Sequence, residues 1–238
     1  MSALKPIAVA SLAEEAFEKL TQAISTGEFL PGEKLSEANL SRQLAISRGT
    51  LREALGRLEG RLVSRTPRVG FRVIELSSQD VVELFTVREA LEGMACRLAA
   101  ERITDREIRT LRDLLDRHSN DKKVLGPKGY YQRSLDEDFH ALIVRYAGQR
   151  RLEQMLMEQL YFQLRLHRFQ SSERPGRADQ AFQEHRAILE ALATRDPDKA
   201  EAAMRQHVRK ALAQTLLPAE GIQDPARIVT KTLAQRRR

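Results

Sequence analysis

Two short segments of helical period stand only two residues apart, and that spacing constrains this chain more than any other feature. Residues 36–44 (SEANLSRQL) and 47–59 (SRGTLREALGRLE) each open on a serine suited to cap a helix, Ser36 and Ser47, with Ala45-Ile46 between them. Helices joined by so tight a turn form a helix-turn-helix. From Leu62 the period shifts toward two. Leu62-Val63-Ser64-Arg65 and Gly70-Phe71-Arg72-Val73-Ile74 read as strands, with Thr66-Pro67-Arg68-Val69 as the turn between them. A hairpin directly behind a helix-turn-helix predicts a winged helix. Upstream, Leu12, Ala16, Leu20 and Ile24 keep i, i+4 spacing over residues 11–26, Ser11 and Glu14 fit a capping box, and Gly27 ends the helix before a turn at Leu30-Pro31-Gly32. The first domain therefore spans residues 1–75, and residues 76–79 form a linker with Ser77 as the next helix cap.

Everything after Asp80 reads helical. Segments near 78–101, 105–121, 128–147, 149–170, 178–194 and 197–215 are broken at Thr104-Asp105, Gly126-Pro127, Gly148, Ser171 to Gly176 and Asp196-Pro197. The expected architecture is mainly α: a winged helix-turn-helix with a small β-hairpin wing, then an antiparallel six-helix bundle over residues 80–217. Residues 218–238 hold Pro218, Gly221 and Pro225, end in Arg236-Arg237-Arg238, and read as a basic flexible tail.

Composition narrows the function classes. Of 238 residues only 5% are aromatic and none is Trp, which argues against binding by stacking bases on aromatic platforms. Cys96 is the single cysteine, so no intrachain disulfide forms and a reducing compartment is expected. No apolar run approaches the roughly 18 residues of a membrane span, and Met1 to Ala10 carries no secretory pattern. The expectation is a soluble, cytoplasmic protein with no membrane partner.

The net charge of +7 is unevenly placed. Between Leu40 and Val73 stand Arg42, Arg48, Arg52, Arg57, Arg61, Arg65, Arg68 and Arg72 against Glu53 and Glu59, with no Lys. A guanidinium fork pairs bidentately with guanine or phosphate, as a Lys ammonium does not. Arg48 and Arg52 are i, i+4 neighbours facing away from Leu51, Leu55 and Leu58. The first turn of a recognition helix reaches base edges, so Arg48, Gly49 and Thr50 are the expected readers, with Arg52 one turn on. The Ser47 and Thr50 hydroxyls suit phosphates, and Arg68 and Gly70 sit where a wing approaches the duplex. Arg57 and Arg61 are assigned to the solvated surface.

These residues resemble a known family. Residues 11–73 look like the winged-helix domain of GntR-type bacterial transcription regulators. The resemblance rests on Pro31-Gly32-Glu33-Lys34-Leu35-Ser36-Glu37, Leu40, Ile46-Ser47-Arg48-Gly49-Thr50-Leu51-Arg52-Glu53-Ala54-Leu55, Leu62-Val63 and Gly70-Phe71-Arg72-Val73. Two departures stand out. The stretch Glu59-Gly60-Arg61-Leu62-Val63 is shorter than usual, and Ala38 takes a place where some relatives carry a DNA-contacting Arg.

In the helical part, Asp136 and His140 are expected one turn apart on the helix 128–147, with His185 and His207 on two later helices. Each His lies beside an apolar stripe, so one carboxylate and three imidazoles pointing inward would form a site in the bundle core. Three nitrogens and one oxygen suit a divalent ion such as Zn²⁺ or Ni²⁺ with positions left open. Any one such His is more often an ordinary buried histidine. His118 and His167 fit no such pattern and are assigned to the surface.

Residues 80–215 further resemble the FCD effector domain of the FadR subgroup, in its six-helix VanR-like variant. The matching residues are Arg88-Glu89-Ala90-Leu91-Glu92, Asp136-Glu137-Asp138-Phe139-His140, Glu184-His185-Arg186-Ala187-Ile188 and Met204-Arg205-Gln206-His207. The resemblance implies that Asp136, His140, His185 and His207 ligate a divalent ion to which a small carboxylate effector binds. Arg88 is then expected to clamp that carboxylate, or to pair with Glu92 one turn away. The combined expectation is a homodimeric regulator, usually a repressor, on a near-palindromic double-stranded DNA operator. A metal-dependent hydrolase with a basic module and a nonspecific nucleoid-type binder are the alternatives.

Overall fold

The computed structural model describes residues 12–120, 138–164 and 177–217. Helix α1 (Leu12–Ser25) buries Ala16, Phe17, Leu20 and Ile24, and Gly27, at φ 75°, turns the chain out of it. Helix α2 (Glu37–Gln43) starts at Ser36, whose side chain accepts from the Asn39 amide. Helix α3 (Arg48–Leu58) starts at Ser47, whose side chain accepts from the Thr50 amide. Between them Ala45 takes the left-handed conformation at φ 54°, which makes so short a connection feasible.

Strands β2 (Val63–Thr66) and β3 (Gly70–Val73) form the expected hairpin, antiparallel with Val63 opposite Val73 and Thr66 opposite Gly70. A third strand, β1 (Lys34–Leu35), was not foreseen and pairs along the other edge of β3, Leu35 opposite Phe71. Two residues are too short to show an alternating pattern, so only the neighbouring strand defines it. Leu35, Val63, Phe71 and Val73 face inward and join Leu51, Leu55 and Leu58 of α3 in the first core.

The second core belongs to a set of helices. Helix α4 (Ser78–Ala100) opens on a complete capping box of Ser77 and Asp80, as expected at that serine. It packs against α9 (Pro197–Leu216), α8 (Arg177–Ala193) and α6 (Phe139–Tyr146), with α5 (Asp105–Asn120) set against α8 and α6. Gly93 sits where a Cβ would lie 2.8 Å from the Arg205 side chain, so α4 and α9 approach closely there. Helix α7 (Arg150–Gln154) runs into a π-helical stretch (Met155–Leu160) that no sequence pattern announced. The helix expected over 128–147 is corrected: Asp138 is extended (φ −91°, ψ 115°) and caps α6, so that helix begins at Phe139. The fold is mainly α, with a winged helix-turn-helix ahead of a helical domain.

Candidate functional site

On α3 the apolar side is sealed, with Leu51, Ala54, Leu55 and Leu58 buried. The opposite side presents Arg48, Gly49, Arg52 and Glu53 to solvent. The Ser47 hydroxyl lies 3.1 Å from the Thr50 amide nitrogen and 2.8 Å from the Thr50 hydroxyl, which fixes the start of the helix. Arg52 donates through Nε to Glu37 of α2 while its side chain stays 65% exposed, so its position is braced without being covered. Arg68 (φ 65°), in the turn between β2 and β3, and Gly70 (φ 100°), the first residue of β3, both take positive φ, and Arg68 is exposed. Arg57 is more than a surface charge: it bonds Glu14 at 2.6 Å and stacks 4.2 Å from the Phe17 ring centre, tying α3 to α1. That pairing holds the Glu14 carboxyl below its usual range.

The second constellation is inside the bundle. His140 on α6, His185 on α8 and His207 on α9 are all buried, and their ligand nitrogens lie within 4.8 Å of one another. The His140 and His185 Nε2 atoms are 3.1 Å apart. Two nitrogens about 2.0–2.1 Å from one ion, at tetrahedral to right angles, stand about 2.9–3.4 Å apart, so this pair is spaced as two ligands of one metal. The His140 Nδ1 lies 2.7 Å from Glu92 Oε2, and Glu92 is held in turn by Arg88 through Nε at 2.9 Å. The His207 Nδ1 lies 2.7 Å from Glu184 Oε2, which also accepts from Arg177 Nη1 at 3.1 Å. His185 stacks on Phe139 with ring centres 4.6 Å apart.

Burial pushes the His207 imidazole down to about 3 against the opposing pull of the Glu184 hydrogen bond, so it is neutral at physiological pH. Burial works to raise Glu184, but the bond from His207 and the charge of Arg177 outweigh it and hold the carboxyl below its ordinary value. A neutral imidazole with Nδ1–H on a carboxylate leaves its Nε2 lone pair free for a cation.

Three expected ligands therefore come together, and Asp136 lies outside the described residues, as does His167. Asp138 spends its carboxylate on the His140 and Ala141 amides at 2.9 and 3.3 Å. Arg88 faces inward as a clamp requires, yet Nε and Nη2 both point at Glu92 and the residue is 1% exposed. It holds the carboxylate that meets His140. His118 is corrected from surface to buried, because its spacing from Leu111 and Leu114 puts it on the inner face of α5. Neither Glu92 nor Glu184 was read as a partner of the imidazoles. Their contacts span 48 and 23 residues of chain, beyond any spacing rule.

Residues 12–73 match the bacterial regulatory proteins of the gntR family, and residues 83–210 match the FCD domain. The chain belongs to the GntR family. Among relatives of this GntR-family chain is the Nta operon transcriptional regulator of Aminobacter aminovorans, 33% identical over 190 residues, covering 79% of this chain and 87% of that protein. The transcriptional repressor GlaR of Escherichia coli is 29% identical over 208 residues, covering 82% and 91%. In three dimensions the chain is similar to McbR/YncC of E. coli, with a TM-score of 0.69 at 24% identity over 87% of this chain and 98% of that one, a likeness of fold. The GntR-family chain is a DNA-binding transcriptional regulator and not an enzyme, which sets aside the hydrolase alternative. Among the described residues no helix is long and apolar enough to cross a membrane.

Proposed function

We propose that this GntR-family chain is a cytoplasmic, homodimeric repressor whose operator affinity is set by a small carboxylate metabolite at a metal site in its helical domain. In this reading residues 1–75 read DNA, residues 76–79 link, residues 80–217 sense, and residues 218–238 are a basic tail. The observation that carries it is a buried triad of imidazoles in the same chain as an outward-facing arginine pair on a capped recognition helix.

His140, His185 and His207 would hold the ion, with Asp136 as the carboxylate ligand, and the nitrogen-rich set suits Zn²⁺ or Ni²⁺. Bound there, the ion would supply a Lewis-acidic anchor for a carboxylate. The charges of Glu92 and Glu184 are already balanced by Arg88 and Arg177, so an ion would leave the cavity positive and draw an anion. Arg88 adds to that positive field from behind Glu92.

For DNA, Ser47, Arg48, Gly49, Thr50 and Arg52 would enter the major groove and its flanking phosphates, with Arg68 and Gly70 on the wing. A second copy is supported by the exposed apolar pair Val87 and Met94 on α4, at 44% and 39% exposure. An effector that prefers one arrangement of the dimer would shift how the two recognition helices are spaced.

Selection from a random duplex pool by the full-length protein tests the reading. A near-palindrome with half-sites about one helical turn apart is the expected product. Recovery of no preferred sequence would overturn it and favour a nonspecific binder.

A further inference from the structure

We propose that Glu92 and Glu184 are positioning residues for the metal site, each fixing one imidazole as its Nδ1–H tautomer so that Nε2 faces the ion. The inference rests on the metal reading above and goes beyond it by assigning the two carboxylates behind the ligands.

The geometry is the same at two places built from unrelated parts of the chain. Glu92 on α4 meets His140 on α6 at 2.7 Å, and Glu184 on α8 meets His207 on α9 at 2.7 Å. In both cases the atom engaged is Nδ1, and in both the carboxylate is anchored by a guanidinium, Arg88 or Arg177. A carboxylate paired with a guanidinium has no proton to give, so the proton on each short bond belongs to the imidazole. The lone pair is thereby confined to Nε2, and the ring cannot flip without breaking a buried charge-assisted bond. A carboxylate behind an imidazole also makes it a better donor to a metal. His185 stacks on Phe139 and meets His140 Nε2 at 3.1 Å.

The arrangement explains why Arg88 and Glu92 are buried together at 1% and 2% exposure. A buried ion pair adds little stability of its own. Here its carboxylate has a second task that an apolar pair would not perform.

Two measurements on the full-length protein test this. Nitrogen-15 spectra of the metal-free protein are expected to show His140 and His207 as Nδ1–H tautomers; finding Nε2–H at both overturns the proposal. Zn²⁺ affinity, measured by competition with a chromophoric chelator, is expected to fall about 10- to 100-fold in Glu184→Ala. The loss is expected to be smaller in Glu184→Gln, which keeps an acceptor oxygen, a graded order that a packing defect would not produce. Glu92→Ala would strand the Arg88 charge, so the paired substitution Arg88→Met with Glu92→Met is used there and is expected to weaken Zn²⁺ by a similar factor. Wild-type affinity in Glu184→Ala and in the paired variant overturns the positioning role while leaving the metal site standing. Absence of Zn²⁺ binding in the wild-type protein overturns the metal reading itself, and this inference with it.

Discussion

Single side chains here divide into those that face solvent to meet a partner and those that are buried to be chemically ready. Arg48 stands in the first turn of α3 on its exposed side. Arg48→Ala is expected to cost about 1–3 kcal/mol of specific operator binding and to relax the preference at one base position. Titrating the variant against matched and mismatched duplexes checks this; an equal loss on every duplex would make Arg48 a phosphate contact. His207 is the buried counterpart. Its imidazole, pushed down to about 3 by burial, binds a proton less readily in the folded chain than in the unfolded one, where the ordinary value is 6.5. Between those two values the unfolded state holds the extra proton. Stability of the metal-free protein is therefore complete above pH 6.5 and declines as pH falls, with a slope approaching about 1.4 kcal/mol per pH unit for one proton. Thermal melts of the wild type and a His207 variant from pH 7 down to 5, above the range where most carboxylates titrate, give this contribution as the difference between the two slopes, since the other buried histidines share the interval. A His207→Gln variant should have a shallower slope in that interval by up to about 1.4 kcal/mol per pH unit, and an unchanged slope would assign it to other groups.

At the scale of elements, the start of α3 serves two purposes that substitution can separate. Ser47 caps the helix through the Thr50 amide, and the same end of the helix is where phosphates are expected to sit. Ser47→Ala should cost about 0.5–2 kcal/mol of stability by removing the cap. Ser47→Asp keeps a capping acceptor but sets a negative charge against the duplex, so its melting temperature should stay near wild type while DNA affinity drops. Denaturation and duplex titration on the two variants read these effects separately; retained DNA affinity in Ser47→Asp would remove the N-terminus of α3 from the interface. Caps of this kind were legible in the sequence, because Ser36, Ser47 and Ser77 each precede an apolar stripe and act within three residues. The imidazoles were legible for a similar reason, each lying next to a buried stripe. What escaped was set by distant chain. Strand β1 exists only through β3, α6 starts where Asp138 turns its carboxylate onto backbone amides, and the Glu92 and Glu184 contacts depend on how helices pack. The π stretch at Met155–Leu160 needs an i→i+5 pattern that apolar period does not encode.

For the whole molecule, the question is how an event in the bundle reaches the recognition helix. Phe162, in the helical turn just after the π stretch, packs its ring against the first core. It stands edge-on to Phe17 of α1 with ring centres 5.8 Å apart, and the Arg61 guanidinium lies 5.3 Å from the Phe162 ring centre. Phe17 in turn carries Arg57 of α3 at 4.2 Å. A continuous set of contacts therefore runs from the helix beyond α7 through α1 to the last turn of α3. On the inner side, Leu156 and Leu160 of the same stretch pack in a small cluster with Val144 of α6, the helix that carries His140. This helical segment therefore has one neighbour in the helix that carries His140 and another in the first core, which makes it the segment to test for coupling. Phe162→Ala removes one aromatic pair, of the kind worth about 0.5–1.5 kcal/mol beyond its buried area. Neither core depends on it alone, so the variant should fold, bind DNA and, on the metal reading proposed above, bind Zn²⁺. Its expected signature is faster hydrogen exchange in α1 around Phe17, together with an operator affinity that responds less to adding or chelating Zn²⁺ than the wild-type affinity does. Because coupling energies of this type run about 1–3 kcal/mol, the lost response corresponds to roughly 5- to 150-fold in affinity. If exchange in α1 and the metal response both stay at wild-type values, the route between the domains lies elsewhere and Phe162 is only a packing residue.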